Sequence, residues 1–84
     1  MSIYALQKAI RDVNRDPARR AAFFESPAAI SAQYPLSERE RAALEARDYG
    51  ALYAMGVHGL LLRPFSILHQ VSEADYLRAI RGGG

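Results

Sequence analysis

Helix-start signals recur along this chain and restrict it to short helices. Each begins with a serine or aspartate, whose side chain can accept a hydrogen bond from the free N–H groups of a first helical turn. The signals lie at Asp16-Pro17, Ser26-Pro27, Ser37 with Glu40, Asp48, and Ser72 with Asp75. No stretch alternates apolar and polar residues long enough to indicate a strand. We therefore predict an all-α fold, a compact single domain of about five to seven short helices.

Proline and glycine set the predicted ends of these helices. Pro35 ends the third helix, because a residue that precedes proline is disfavoured in the helical region. Gly56 is placed to end the fifth helix in a left-handed conformation. Residues 57–70 are the most apolar stretch, and we predict that they are helical on both sides of a break or kink at Pro64.

The composition is that of one small globular domain. Hydrophobic residues make up 50% of the 84 positions, which excludes a disordered chain. We expect residues 1–81 to form a single helical domain and the glycines at 82–84 to form a flexible tail. With no cysteine, neither a disulfide nor a zinc–thiolate site can add stability. A chain of this length buries only roughly 60–65% of its unfolded surface, so a partner that covers apolar surface is expected.

The apolar stretch also predicts where that partner binds. Residues 60–68 are apolar on nearly all sides, and so small a domain can bury only one face of a helix. A second protein or another copy of the chain is expected to cover the rest. Arginine and aromatic side chains are enriched at such interfaces. The predicted contact residues are Tyr49, Tyr53, Gly56, Val57, His58, Leu62, Arg63 and Phe65.

The charge of the chain admits two interpretations. Arginine supplies ten of the eleven basic residues, and four of these lie at positions 11, 15, 19 and 20. A nucleic-acid surface is one interpretation of this cluster. Acidic residues are interleaved with it at Asp12, Asp16 and Glu25, which favours a solvated helical face. We expect no nucleic-acid partner; a nucleic-acid binder would show salt-dependent binding to any duplex.

No targeting or membrane segment is predicted. Residues 1–4 lack the charged and apolar regions of a signal peptide. Every apolar run in the sequence is far shorter than the roughly 20 residues that a membrane span requires. We expect a cytoplasmic protein without a membrane partner.

Motifs that carry catalysis are missing from the sequence. It has no cysteine nucleophile, no glycine-rich phosphate loop and no G-x-S-x-G elbow. Neither His58 nor His69 has a second histidine three or four residues away, as a helical metal site would normally supply. His58 lies between two glycines and either forms a hydrogen bond with a ligand or partner, or caps a helix end. We predict no catalytic residue, no metal site and no cofactor in this chain.

Several motifs together resemble a known family. Residues 36–44 combine a leucine, a capping serine and a charged helix, and the A-R-D-Y-G-A-L run follows at residues 46–52. A glycine turn at residues 56–58 and a closing helix that starts in residues 71–77 complete the pattern. Upstream, Asp16-Pro17 and the segment from Phe23 to Tyr34 fit the same family. The chain resembles the small (alpha) subunit of LigAB-type extradiol ring-cleaving dioxygenases, the protocatechuate 4,5-dioxygenase class.

The resemblance implies an accessory role. In that family the non-haem iron, its ligands and the base belong to the large (beta) subunit, and the helical alpha subunit lies over the active-site cleft. It implies that residues 56–68 face the cleft and that this chain holds no cofactor itself. The segment from residue 57 to residue 71 is shorter than in the well-known alpha subunits, where extra aromatic residues reach toward the substrate.

An alternative function comes from a different class of protein. A stand-alone helical protein-recognition module would have the same small fold and no role in ring cleavage. The fold resembles the enzyme-docking domain of some split peptide-methyltransferase precursors. Such a precursor carries a modifiable peptide after its last helix, whereas this sequence runs from Arg81 into three glycines, so we prefer the dioxygenase subunit.

Overall fold

The computed structural model describes residues 2–82 and is built from α-helices alone over that range. Seven helices follow one another with short connections, which confirms the predicted all-α class. They are α1 (Ser2–Arg15), α2 (Pro17–Glu25), α3 (Pro27–Ser31), α4 (Glu38–Ala46), α5 (Tyr49–Ala54), α6 (Gly59–Leu68) and α7 (Glu73–Gly82).

The predicted capping residues at the starts of α2, α4 and α5 make the expected hydrogen bonds. The Asp16 carboxylate accepts from the N–H of Ala18 at 3.0 Å and so starts α2. At the start of α4 the Ser37 hydroxyl accepts from the N–H of Glu40 at 3.1 Å, and the Glu40 carboxylate accepts from the N–H of Ser37 at 2.9 Å. This reciprocal pair is the predicted capping box. Asp48 caps α5 with a single bond, because its carboxylate accepts from the N–H of Ala51 at 3.1 Å.

Other helix ends differ from the prediction. Ser26 makes no side-chain capping bond, and α3 ends at Ser31, two residues earlier than expected. At the start of α7 the Ser72 hydroxyl accepts from the N–H of Asp75 at 3.1 Å, while the Asp75 carboxylate accepts from Arg78 at 2.8 Å. Aspartate is too short to reach back as glutamate does, so only half of a capping box forms there.

Of the break or kink predicted at Pro64, the break is absent, because α6 is one continuous helix with this proline inside it. Proline removes the hydrogen bond that would reach the carbonyl of Leu60, four residues earlier. Both residues lie on the exposed side of α6, where water can solvate that carbonyl. The helix therefore tolerates a proline at this position.

The chain's two ends lie partly outside the described residues. Helix α7 continues through Gly82, the first residue of the predicted glycine tail. Gly83 and Gly84 lie outside the described residues, so the flexible tail stays a prediction.

The core lies between α1 and the helices that surround it. Helix α1 packs against α2 and α6, α5 packs against α7, and α3 connects α2 to α4. One stripe of α1 is fully buried, and its large members Leu6, Ile10 and Val13 recur at helical spacing. The aromatic side of the core has Phe23 of α2 against Phe65 of α6, with ring centroids 5.6 Å apart. These contacts hold α6 across the body of the domain.

Candidate functional site

Helix α6 is apolar on two opposite faces, only one of which is covered. Leu62, Phe65 and Ser66 form the inner face and are buried. Leu60, Pro64 and Ile67 recur at i, i+4 and i+7 and form the outer face. Leu60 is 80% exposed and Ile67 is 56% exposed. We call these three residues the outer α6 face, which is the candidate interaction surface of this domain.

The start of α6 is held in place by a tight turn and by α1. Gly56 has a φ of +106°, a conformation that side-chain-bearing residues rarely adopt, as predicted for this glycine. His58 caps the helix, because its Nδ1 accepts from the N–H of Leu60 at 3.0 Å. Its backbone N–H donates to the Gln7 side chain at 2.9 Å. The capping interpretation of His58 is therefore confirmed, and the bonded Nδ1 must be the unprotonated ring nitrogen.

The other end of α6 is tied to α7 by Arg63. Its guanidinium donates to the Ser66 hydroxyl at 3.0 Å and to the carbonyl of Val71 at 3.3 Å. The same group lies over the ring of Tyr76, 5.2 Å from its centroid, a cation–π contact. Arg63 is thus engaged within the domain and stabilises the connection between α6 and α7.

Half of the predicted contact residues lie in the core. Tyr49, Val57, Leu62 and Phe65 are buried, and their apolar surface is already covered by this chain's own helices. Tyr49 packs edge-on against the ring of Phe65 at 6.2 Å, and burial raises the pKa of its hydroxyl. These four side chains support the outer α6 face from beneath. Whether they take part in partner binding stays a prediction.

The exposed members of the predicted set are fewer. Tyr53 is about half exposed on α5, and Gly56 and His58 lie at the surface of the turn before α6. The predicted contact residues do not include Leu60 and Ile67, which are exposed on α6, although both fall in the apolar segment at residues 60–68. Because α6 is apolar all round, periodicity gives no signal that separates its outer face from its inner one.

His69 occupies an aromatic pocket at the end of α6. Its Nδ1–H donates to the carbonyl of Phe65 at 2.8 Å, and its ring lies edge-on to those of Phe65 and Phe24 at centroid distances of 4.7 and 5.2 Å. Its Nε2 is buried and has no hydrogen-bond partner among the described residues. Burial lowers the pKa of this imidazole, so the neutral form is favoured.

The arginine cluster separates into two pairs. Arg20 donates to the carbonyls of Val13 and Asn14, and Arg19 donates to the hydroxyl of Tyr34 at 2.9 Å. This second pair therefore joins α2 to its neighbours. Arg11 and Arg15 are exposed on α1 and form no ion pair with the described residues.

A hydrogen-bonded network joins α1 and α2 to the segment that follows α3. The Tyr34 hydroxyl donates to the carboxylate of Asp12 at 2.6 Å and accepts from Arg19. Burial and this hydrogen bond to Asp12 raise the pKa of Tyr34 to about 12. At neutral pH the hydroxyl therefore keeps its proton and acts as a fixed donor, which ties the segment after α3 to α1.

Two further observations concern the described residues alone. Within that range, no three side chains of the metal-binding types histidine, cysteine, aspartate or glutamate lie together in a way that could hold a metal ion. None of the helices described there is both long enough and apolar enough to span a membrane.

A family comparison relates the chain to known proteins. The family model for the LigA subunit of the aromatic-ring-opening dioxygenase LigAB matches residues 6–83, nearly the whole chain. The chain belongs to the LigA family. This membership confirms the resemblance found in the sequence motifs, and it covers all seven helices of this LigA domain except the first residues of α1. No curated protein and no solved structure matches the chain significantly.

Proposed function

We propose that this LigA-family chain is the non-catalytic small subunit of an extradiol aromatic-ring-cleaving dioxygenase, and that it covers or buttresses the active-site cleft of an iron-bearing large subunit. The family match over residues 6–83 carries the proposal. In this assignment the partner supplies the non-haem iron, its ligands and the catalytic base. This chain supplies a surface and no reacting group.

The outer α6 face is the surface best suited to this role. Leu60 and Ile67 are exposed, while the inner face of the same helix is locked into the core by Leu62 and Phe65. A rigid helix that presents apolar side chains can cover a cleft without a large ordering cost. Exclusion of water from the cleft would strengthen the electrostatic interactions inside it and protect reactive intermediates.

Reconstitution with the large subunit tests the proposal. A LigB-type protein encoded beside this chain would be purified alone and together with it, and ring cleavage would be followed as oxygen uptake on a panel of catechols. We expect the two chains to co-purify and turnover per iron to rise when both are present. Separate purification together with full activity of the large subunit alone would overturn the proposal. A stable complex whose ring-cleavage rate is independent of this chain would favour a recognition module instead.

A further inference from the structure

The outer α6 face lies beside a groove that α6 forms with α1. Two hydrogen bonds hold these helices side by side: Asn14 donates to the carbonyl of Leu61 at 3.0 Å, and the N–H of His58 donates to Gln7 at 2.9 Å. Two surface clefts of about 300 and 380 Å³ lie along this junction. They share Arg11 and Leu61 as lining residues and therefore adjoin each other, and we call the two clefts together the α1–α6 groove.

One wall of the groove is apolar. Leu60 and Pro64 of the outer α6 face line it together with the partly buried Leu61. Tyr4, which is 70% exposed, adds an aromatic ring at the end nearest the start of α1. Tyrosine supplies a large contact area with few rotatable bonds, which favours its use as an anchor in binding sites.

The opposite wall is cationic. Lys8, Arg11 and Arg15 follow Tyr4 at i+4, i+7 and i+11, so all four side chains lie on one face of α1. Lys8 has an acidic neighbour in Asp12, 3.5 Å away. Arg11 and Arg15 have no ion-pair partner among the described residues. The groove thus sets an apolar wall against a row of positive charge.

We propose that the α1–α6 groove binds an acidic, aliphatic-rich segment of the partner protein, with aliphatic side chains against Leu60 and Tyr4 and carboxylates against Arg11 and Arg15. This rests on the proposed function, in which that partner is the large dioxygenase subunit. Arginine pairs well with carboxylates because its planar fork can form two parallel hydrogen bonds. Complementary charge would also orient the two subunits as they meet.

Other occupants fit the groove less well. In a two-fold dimer of this chain through the same surface, the lining of the groove offers no carboxylate that could pair with Arg11 and Arg15 of the other copy. A nucleic-acid backbone would contact the arginines and leave the apolar wall without a matching surface. An anionic membrane also combines negative charge with apolar contact. A bilayer surface cannot fill a concave groove between two helices, so we favour a protein segment.

Charge reversal in the groove, compared with an equal reversal elsewhere, tests the proposal. The groove variant is Arg11→Glu with Arg15→Glu, and the control is Arg39→Glu with Arg41→Glu on the exposed side of α4. Both change the net charge by the same amount. A third variant, Leu60→Ser, tests the apolar wall. Circular dichroism and urea unfolding would establish that each variant folds before the dissociation constant for the purified large subunit is measured.

The proposal predicts a clear order of affinities. The groove variant should bind the large subunit about tenfold or more weakly, Leu60→Ser should also bind more weakly, and the control should stay within about twofold of the parent. Added salt should weaken the parent complex more than the complex of the groove variant. Binding of the groove variant at the parent's affinity, or an equal loss in the control, would refute the groove while the proposed function stands.

The failure of the proposed function gives a different pattern. If the parent chain does not bind the large subunit at all, both proposals fall together. Vesicles of phosphatidylcholine and phosphatidylserine that retain the parent and release the groove variant, with no complex formed, would assign the groove to a membrane. Concentration-dependent dimerisation that Leu60→Ser abolishes, with no complex formed, would assign it to a second copy of the chain.

Discussion

Two leucines of α6, two positions apart, should lose very different amounts of stability on the same substitution. Leu62 is 0% exposed and belongs to the core, while Leu60 is 80% exposed on the outer face. Leu62→Ala removes three buried carbon groups at about 0.8 kcal/mol each and leaves a cavity, so we expect a loss of about 2.5–5 kcal/mol. Leu60→Ala should change the free energy of unfolding by less than about 0.5 kcal/mol.

The difference is large compared with the stability of a domain of this size. At roughly 0.05–0.15 kcal/mol per residue, 84 residues give a total free energy of unfolding of roughly 4–13 kcal/mol. Urea unfolding followed by circular dichroism would show the loss directly. With an m-value near 1 kcal/mol/M, the midpoint of Leu62→Ala should fall by about 2 M or more. Its Tm should fall by at least about 8 °C.

The pair tests the orientation of α6, on which the candidate site depends. Equal losses in the two variants, or a larger loss in Leu60→Ala, would mean that α6 does not present this outer face to solvent. Partner affinity and stability can both be measured for Leu60→Ala. A loss of affinity without a loss of stability would place Leu60 at the interface.

Two further predictions concern backbone conformation and pH. Gly56→Ala should cost about 1 kcal/mol or more in urea unfolding, because φ is +106° there although the nearest side chain, Ile3, leaves room at 3.9 Å. Gly59→Ala meets nothing within 4 Å at the first position of α6 and should stabilise by about 0.4–1 kcal/mol, so a reversed order of the two would contradict the assigned turn. Burial lowers the pKa of His69 below its ordinary value of 6.5, so the unfolded chain binds the proton more readily. The part of the free energy of unfolding that depends on His69 should be complete above pH 6.5 and be lost as the pH falls through 6.5 toward the lowered pKa. An NMR titration that places the pKa of His69 above 6.5 would contradict this prediction.

The local features of this fold could be predicted because they depend on near neighbours. The bonds of Asp16, of Ser37 with Glu40, and of Asp48 each join residues two or three positions apart. Gly56 adopts its positive φ because of its own missing side chain. The family motifs, which the match over residues 6–83 confirms, were visible in the sequence for the same reason. Order and spacing along the chain are enough to recognise them.

The contacts that individual site residues make within the domain could not be predicted from the sequence. Arg63 bonds to Ser66 and Val71, and Phe65 packs against Phe23, while their place at an interface stays a prediction. Each of these contacts except that with Ser66 reaches beyond the helix. The sequence carries no local signal for contacts of that kind.

The sequence by itself determined that this protein is a LigA-family chain of short helices with an apolar segment between residues 57 and 70. Helix caps and turns form between residues two to four positions apart, so the identities of near neighbours in the sequence determine them. Only the tertiary structure decided which side of that segment is outside. Leu60 and Leu62 are the same type of residue on the same helix. The packing of α6 against α1 leaves Leu60 exposed and buries Leu62.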